Sequence, residues 1–429
     1  GQPFREGMAF RCNLDGSEFE VVGHNFRNNY ELAVDSFGTV WQSDNDDDGN
    51  RAARINYVLE HGNFGYADEV TGDSWQKPYL GAPEDVPHRH WHLTDPGVVP
   101  TLLITGFGSP TGIVHYEGTL LPEPFRNQMI HCDAGPNIVR AYPVQKQGAG
   151  YEAQIANLVH GARDSWFRPS DVCVAPDGSL LVADWYDPGV GGHNMGDIDR
   201  GRIFRVAPPG HRYQVPRFDF QSIDGAIQAL QNANLEVRYL AWDRLHAAGL
   251  EAEPALLKLY ASEHAPFRAR ALWLLSKLPQ RGAEHVARAA RDADEDLRIT
   301  AIRAARQIRL DLEAFLSELV NDPSPQVRRE CALALHGHAS PAAPRLWSAL
   351  ARSYDGADRW YLEALGIGAE GQWDACLDAW RREVGDAWRS PAGREIIWRS
   401  RAKATPELLA QLILEPADAT ERTRLFRAF

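Results

Sequence analysis

Arginine returns at a fixed interval through the second half of this chain. It stands in "LEVRYLAWDRL", "APFRARALWLL", "EDLRITAIRAA", "PQVRRECALAL" and "ADRWYLEALGI" as Arg238, Arg268, Arg298, Arg328 and Arg359, at steps of 30, 30, 30 and 31 residues. Each arginine opens an apolar pattern with helical spacing, and polar turns such as "RDADED" and "NDPSP" precede it. A period of this length reads as one helix pair per repeat. A single pair cannot bury its own apolar face, so the pairs must stack into an α-solenoid, whose curved surface often binds protein. Asp292 and Asp322 each lie six residues before an arginine of the series, which predicts a ladder of turn aspartates and helix arginines.

Residues 1–210 follow another rule. "LAVDSFGTVWQSDND" from Leu32 and "VCVAPDGSLLVADWYD" from Val172 share apolar alternation, a turn at Phe37-Gly38 or Asp177-Gly178, and a second strand ending in aspartate, at an offset of 140. Further strand pieces are "AFRCNLDGSEFEVVG", "IVRAYPVQKQGAGYEAQIANLV" and "RIFRVAPPG". Repeated hairpins of this kind predict an all-β propeller. At roughly 40 to 50 residues a blade, this half supplies about three to four blades, so closure requires further N-terminal sequence or a partner chain. Residues 51–108 interrupt the repeat with aromatic and histidine-rich loops, where a rigid scaffold tends to carry its sites. The expected architecture is a partial all-β propeller over 1–210 followed by an all-α solenoid over 211–429.

Charge divides the same way. Residues 1–210 hold 15 Lys+Arg against 28 Asp+Glu, a net of −13, and residues 211–429 hold 30 of each. That sign argues against nucleic acid as a partner. The five cysteines are widely spaced, with no CxxC and no CxxCH, which argues against a disulfide framework, a zinc knuckle and covalent haem in this chain. Cys132 and Cys173 sit in apolar runs and are expected to be buried. No apolar run reaches the about 18 residues needed to span a bilayer, and "GQPFREGMAFRC" has no signal-peptide pattern.

The densest charge is "QSDNDDDGN", residues 42–50. Asp44-x-Asp46-x-Asp48-Gly49 matches the first half of a calcium loop, but Ile55 stands where the bidentate glutamate of an EF-hand belongs. Two readings remain: calcium held by Asp44, Asp46 and Asp48 with backbone carbonyls, or a solvated acidic loop. The net charge of this half leans toward a cation. His88, His90 and His92 in "PHRHWHLTDPG" would share one side of an extended strand, as polar packing, as a base or as metal ligands. His193 and Asp187 in "WYDPGVGGHNMGD" are loop residues surrounded by glycine. Arg27 and Arg168 each stand in an "FR" just before an apolar inner strand, a slot that suits either a cofactor with several carboxylates or salt bridges between blades.

The stretches "FRNNYELAVDSFGTVWQSDNDDDGN", "GNFGY", "HWHLTDPGVVP", "GSPTGIVHYEG", "FRPSDVCVAPDGSLLVADWYDPGVGGH" and "DRGRIFRVAPPG" resemble the membrane-bound dehydrogenase family of planctomycetes and verrucomicrobia. The resemblance covers residues 1 to about 210, and the helical repeats after it resemble HEAT repeats. It implies a propeller similar to glucose and sorbosone dehydrogenases, which use pyrroloquinoline quinone (PQQ) with calcium. It also implies a haem-c domain, which lies outside this chain, and export to the periplasm. Carried over by motif, Arg27, Asn28, Asn45 and Arg168 would hold the quinone, and Asp44, Asp46 and Asp48 the calcium. A histidine such as His92 or His193 would take the proton of a sugar or alcohol hydroxyl. Departures exist: Arg27-Asn28-Asn29-Tyr30-Glu31 replaces an R-N-P-x-G pattern, a second arginine pair is reduced to Arg168, and the family's base belongs to a blade absent here. Those departures favour the rival reading, a non-catalytic module, stabilised by calcium, that binds a glycan or a protein.

Overall fold

The computed structural model describes residues 6–47, 49–106, 108–190, 199–415 and 418–429. Sixteen strands among them form four successive sheets and one projecting hairpin. In the first sheet β1 (Gly7–Arg11) pairs with β2 (Glu20–Phe26), and the short β6 (Gly62–Asn63) runs parallel to β2. The second sheet is β3 (Asn29–Val34), β4 (Val40–Asp44), β5 (Ala53–Tyr57) and β7 (Leu103–Gly106), antiparallel throughout. The third is β8 (Pro110–Tyr116), β9 (Gln128–Asp133), β10 (Ile138–Tyr142) and β13 (Ala156–His160); the hairpin of β11 (Val144–Gln147) and β12 (Gly150–Ala153) projects before its last strand. The fourth is β14 (Pro169–Val174), β15 (Leu180–Asp184) and β16 (Arg202–Val206).

These sheets are propeller blades in sequence order. β8 packs between β3 and β14, with Ile113 N–H donating to Glu31 Oε2 at 2.8 Å and Thr111 Oγ1 to the Pro169 carbonyl at 2.9 Å. The four sheets do not close into a ring. The predicted turns form as one geometry. Asp35 N–H reaches Thr39 O at 3.1 Å and Ala175 N–H reaches Ser179 O at 2.7 Å, while Gly38 and Gly178 both adopt φ of 85°, which glycine alone takes without strain. Cys132 is buried as expected, but Cys173 is exposed. Alternation along β14 turns Val172 and Val174 toward the third blade and Cys173 away from it.

After β16 the chain is helical. The helices start where the sequence supplies caps: Asn234, Asp294, Ser324, Asp358 and Ser390 each accept a first-turn N–H. The ladder forms with a one-repeat offset. Arg268 donates to Asp292 at 2.5 Å and Arg298 to Asp322 at 2.8 Å, while Arg298 and Arg328 also hold the carbonyls of Asp292 and Asp322. Among the described residues no helix is long and apolar enough to cross a membrane.

A second file of solenoid arginines holds the blades. Arg238 and Arg270 both reach Glu117, Arg303 reaches the Phe37 carbonyl at 3.1 Å, and Arg329 the Ala149 carbonyl at 2.7 Å. Arg306 pairs with Glu60, and Arg427 with Asp68 and Asp95. The acidity of the first half therefore meets the arginines of the second, and its lean toward a free cation is corrected. One hydrophobic cluster runs through both halves, with Tyr57 and Trp360 rings 5.5 Å apart. The solenoid face that carries these arginines is covered by the chain's own blades.

Candidate functional site

The second, third and fourth sheets each end their second strand in aspartate, and the structure gives the reason. Asp44 accepts the backbone N–H of Asn28 at 2.8 Å and of Arg27 at 3.2 Å; Asp133 accepts that of Ser109 at 3.0 Å; Asp184 accepts that of Arg168 at 2.7 Å. These donors are the residues that lead into β3, β8 and β14. A third-strand arginine backs each carboxylate: Arg54 at 2.9 Å from Asp44, Arg140 against Asp133, and Arg202 at 2.8 Å from Asp184. The motif pins the lead-in of each inner strand, and by register Arg168 takes the place of Asn28, with Arg27 one residue earlier than the equivalent position.

The pair in the second blade is wholly buried. Burial pushes the Asp44 carboxyl above its ordinary range against the pull of Arg54, and brings the Arg54 guanidinium down to about 10. Arg54 also lies over the Trp91 ring, 3.5 Å from its centroid, and donates to Phe64 O at 2.8 Å.

This overturns the calcium reading of Asp44. Its oxygens already accept backbone N–H and guanidinium donors, which leaves no lone pair for a cation. Asp46 accepts Ala52 N–H at 2.5 Å and closes its own loop. Asp48 lies outside the described residues. Among the described residues no group of three or more His, Cys, Asp and Glu side chains is placed to hold a metal ion.

The histidines depart from expectation too. Residues 88–92 are not extended: Asp85 caps a short helix, Val86–Arg89, with Pro87 in its first turn. His88 is therefore exposed beside Asp85, whereas His90 and His92 are buried. His92 sits at φ 47°, its Nδ1 is 2.9 Å from Gly65 O, and its ring stacks on Tyr79. His193 lies outside the described residues. Asp187 is buried and accepts Gly189 N–H at 2.7 Å.

Around the lead-in of β3 lie residues that the motifs did not single out. Asp47 takes Arg27 Nε at 3.1 Å and Tyr66 hydroxyl at 3.3 Å on one oxygen, and Trp75 Nε1 at 2.7 Å on the other. Asn28 is exposed, and its carbonyl accepts Asn45 N–H at 3.3 Å. Asn45 Oδ1 faces Gly108, where an added methyl would come within 2.9 Å. Arg168 is buried with its Nη groups toward the carbonyls of Ala134 and Pro188, and its Nε has no partner among the described residues. The signal for Asp47 was its place in the acidic run; nothing local marked Trp75 or Tyr66 as its partners.

Two family models match this chain. A family model described as a domain of unknown function (DUF7133) matches residues 3–209, and a HEAT-repeat model matches residues 283–366. No curated protein matches. Among solved structures, an oxidoreductase (glucose dehydrogenase) of Thermus thermophilus shares 18% identity over 43% of this chain and 47% of its own, with a TM-score of 0.31. The soluble aldose sugar dehydrogenase of Escherichia coli shares 15% over 44% of this chain and 47% of its own, at 0.31. The PQQ-bound aldose sugar dehydrogenase of Streptomyces coelicolor shares 20% over 47% of this chain and 52% of its own, at 0.31. This chain spans about half the length of those proteins.

Proposed function

We propose that this chain is the blade-and-solenoid part of an oxidoreductase that acts on a sugar or alcohol and takes PQQ at the blade ends. The observation that carries the reading is that Arg27, Asn28 and Arg168 all lie at the lead-in of an inner strand, where a buried aspartate fixes their backbone. Guanidinium groups so held suit the carboxylates of that quinone. Fit is supported by Arg168 Nε, which has no partner among the described residues, and by the exposed Asn28. Arg27, Asn28, Asn45 and Arg168 would bind and orient the cofactor, whose chemistry when bound is to accept hydride. The Gly65 carbonyl keeps the proton on His92 Nδ1, so Nε2 is the nitrogen left to receive the proton of a substrate hydroxyl. His193 is the second candidate for that role. Asp44 does not fit a calcium ion, and no step runs through one.

Titration of the purified chain with PQQ, followed by the quinone's absorbance and the melting temperature, tests this. Saturable binding is expected, with a rise in melting temperature, weakened at least tenfold by Arg168→Lys. Absence of saturable binding would sink the reading. The rival, a non-catalytic module for a glycan or protein, is favoured by the backbone-holding role of Asp44 and Asp46 and predicts no quinone binding at all.

A further inference from the structure

A cleft of about 760 Å³ opens on the solenoid, lined by Tyr260, Arg268, Glu284, Arg288, Arg291 and Asp292, with three alanines among them. It lies away from the blades. Arg268 and Arg270 are two positions apart on the helix Ala265–Leu275, which turns them to opposite sides. Arg270 reaches Glu117 in the blades, and Arg268 lines the cleft. Glu284, Arg288 and Arg291 are exposed, so a ligand meets the cleft from solvent. Its floor is the buried Tyr260 ring, with the Arg268 and Arg288 guanidinium groups 5.1 Å and 5.7 Å from the ring centroid.

The thirty-residue repeat separates what this cleft adds from what the fold needs. Arg268 and Asp292 belong to the ladder that recurs as Arg298 and Asp322. Tyr260, Arg288 and Arg291 do not recur, since Ala290, Glu318 and Asn321 stand thirty residues on. Stacking of the repeats therefore does not require them. The acids of the cleft are already engaged: Asp292 accepts Arg268 at 2.5 Å and the Tyr260 hydroxyl at 2.7 Å on one oxygen and Asp294 N–H at 3.0 Å on the other, and Glu284 accepts Arg281 at 3.1 Å. Arg288 has no hydrogen-bond or ion-pair partner among the described residues. Arg291 pairs with Glu318, but both side chains are more than half exposed, and such a pair is worth little. Arg291 N–H donates to Arg288 O at 3.1 Å, so the two guanidinium groups arise from one turn.

We propose that this cleft binds an acidic peptide segment of a partner protein, with carboxylates on Arg288 and Arg291 and an apolar side chain over Tyr260. Guanidinium groups take carboxylates in bidentate fashion, and neighbouring arginines suit an acidic motif. A cleft of this volume takes a ligand the size of a few residues, not just a lone inorganic anion. Nucleic acid is disfavoured, because Glu284 and Glu318 flank the arginines and would repel a continuous phosphate backbone. The inference goes beyond the quinone reading and does not draw on it.

The full chain, without cofactor, is titrated into a fluorescein-labelled peptide alternating glutamate and leucine, followed by anisotropy, with glutamine–leucine and lysine–leucine peptides as controls. Saturable binding of the glutamate peptide alone is expected, weakening as salt rises. It should fall by about tenfold or more in Arg288→Glu and in Arg291→Asn, which install what the next repeat carries, while Arg288→Lys should retain part of the affinity. All three variants should keep the parent melting temperature, because neither side chain belongs to the ladder. No saturable binding of the glutamate peptide overturns the proposal, as does equal binding of the glutamine peptide or an affinity unchanged in both Arg288→Glu and Arg291→Asn. Displacement of the labelled peptide by citrate as readily as by unlabelled peptide would assign the cleft to a free polycarboxylate and overturn the protein partner.

Discussion

Asp44 shows how a residue can be visible in a sequence and still be misread. The aspartate ending each hairpin was legible as a repeat, and so was the run of four carboxylates around it. What could not be read was Arg54, ten residues on, whose partner is set by the register that places it opposite Asp44 on β5. A local motif cannot report a cross-strand pair. Removing one member of a wholly buried ion pair leaves an uncompensated charge, a change that costs about 3–5 kcal/mol. Arg54→Met is therefore expected to lower stability by that order and to loosen the Arg27–Asn28 lead-in, because Asp44 would then take up a proton. Denaturant unfolding measures the first effect, and amide exchange at Arg27 and Asn28 the second. A loss below about 1 kcal/mol, the range of an exposed pair, would mean that Asp44 is held well enough by backbone alone.

At the scale of elements, periodicity served well where one face decided the structure and failed where a cap did. The thirty-residue arginine period and the strand-turn-strand pattern both appear as drawn. The histidine stretch does not, since Asp85 and Pro87 start a helical turn that alternation cannot see. The β11–β12 hairpin was legible as strand, but its task was not. Its tip docks on the solenoid: Asp358 accepts Ala149 N–H at 2.6 Å, Gln326 donates to Gly150 O at 2.6 Å, and a Cβ on Gly150 would overlap Trp360 Cδ1. Glycine is required there by approach and not by dihedral angle. Gly150→Ala is expected to force the hairpin off Trp360 at about 1–3 kcal/mol, seen as a lower melting temperature together with a changed near-ultraviolet signal from the Tyr57–Trp360 contact. Gly16→Ala, where nothing lies near the added methyl, separates this clash from a general effect of losing a glycine; Gly16 has φ of 79°, so some strain cost is expected there, but no change at Trp360.

Across the whole molecule, the two halves told apart by period and charge are one body in energetic terms. Composition announced a net of −13 in the blades and zero in the solenoid, yet could not say that the acids of one face the arginines of the other. Glu117 is the clearest joint: it accepts Ser36 N–H at 2.9 Å and Arg270 at 3.0 Å, and also pairs with Arg238. Burial alone would raise its carboxyl, but the two guanidinium groups and Ser36 hold it well below its ordinary 4.5. A carboxylate depressed in the folded state contributes stability that is complete above its unfolded value and is lost as pH falls through the folded one. The joint should therefore hold above pH 4.5 and weaken steadily as the solution is acidified below it. Glu117→Gln removes the charge at every pH, so it should cost about 3–5 kcal/mol at neutral pH and flatten the acid limb of the stability curve. Because one hydrophobic cluster spans both halves, calorimetry of the unaltered chain should show a single transition. Two separate transitions, with Glu117→Gln shifting neither, would mean that blades and solenoid fold independently and that their shared arginines only decorate the contact.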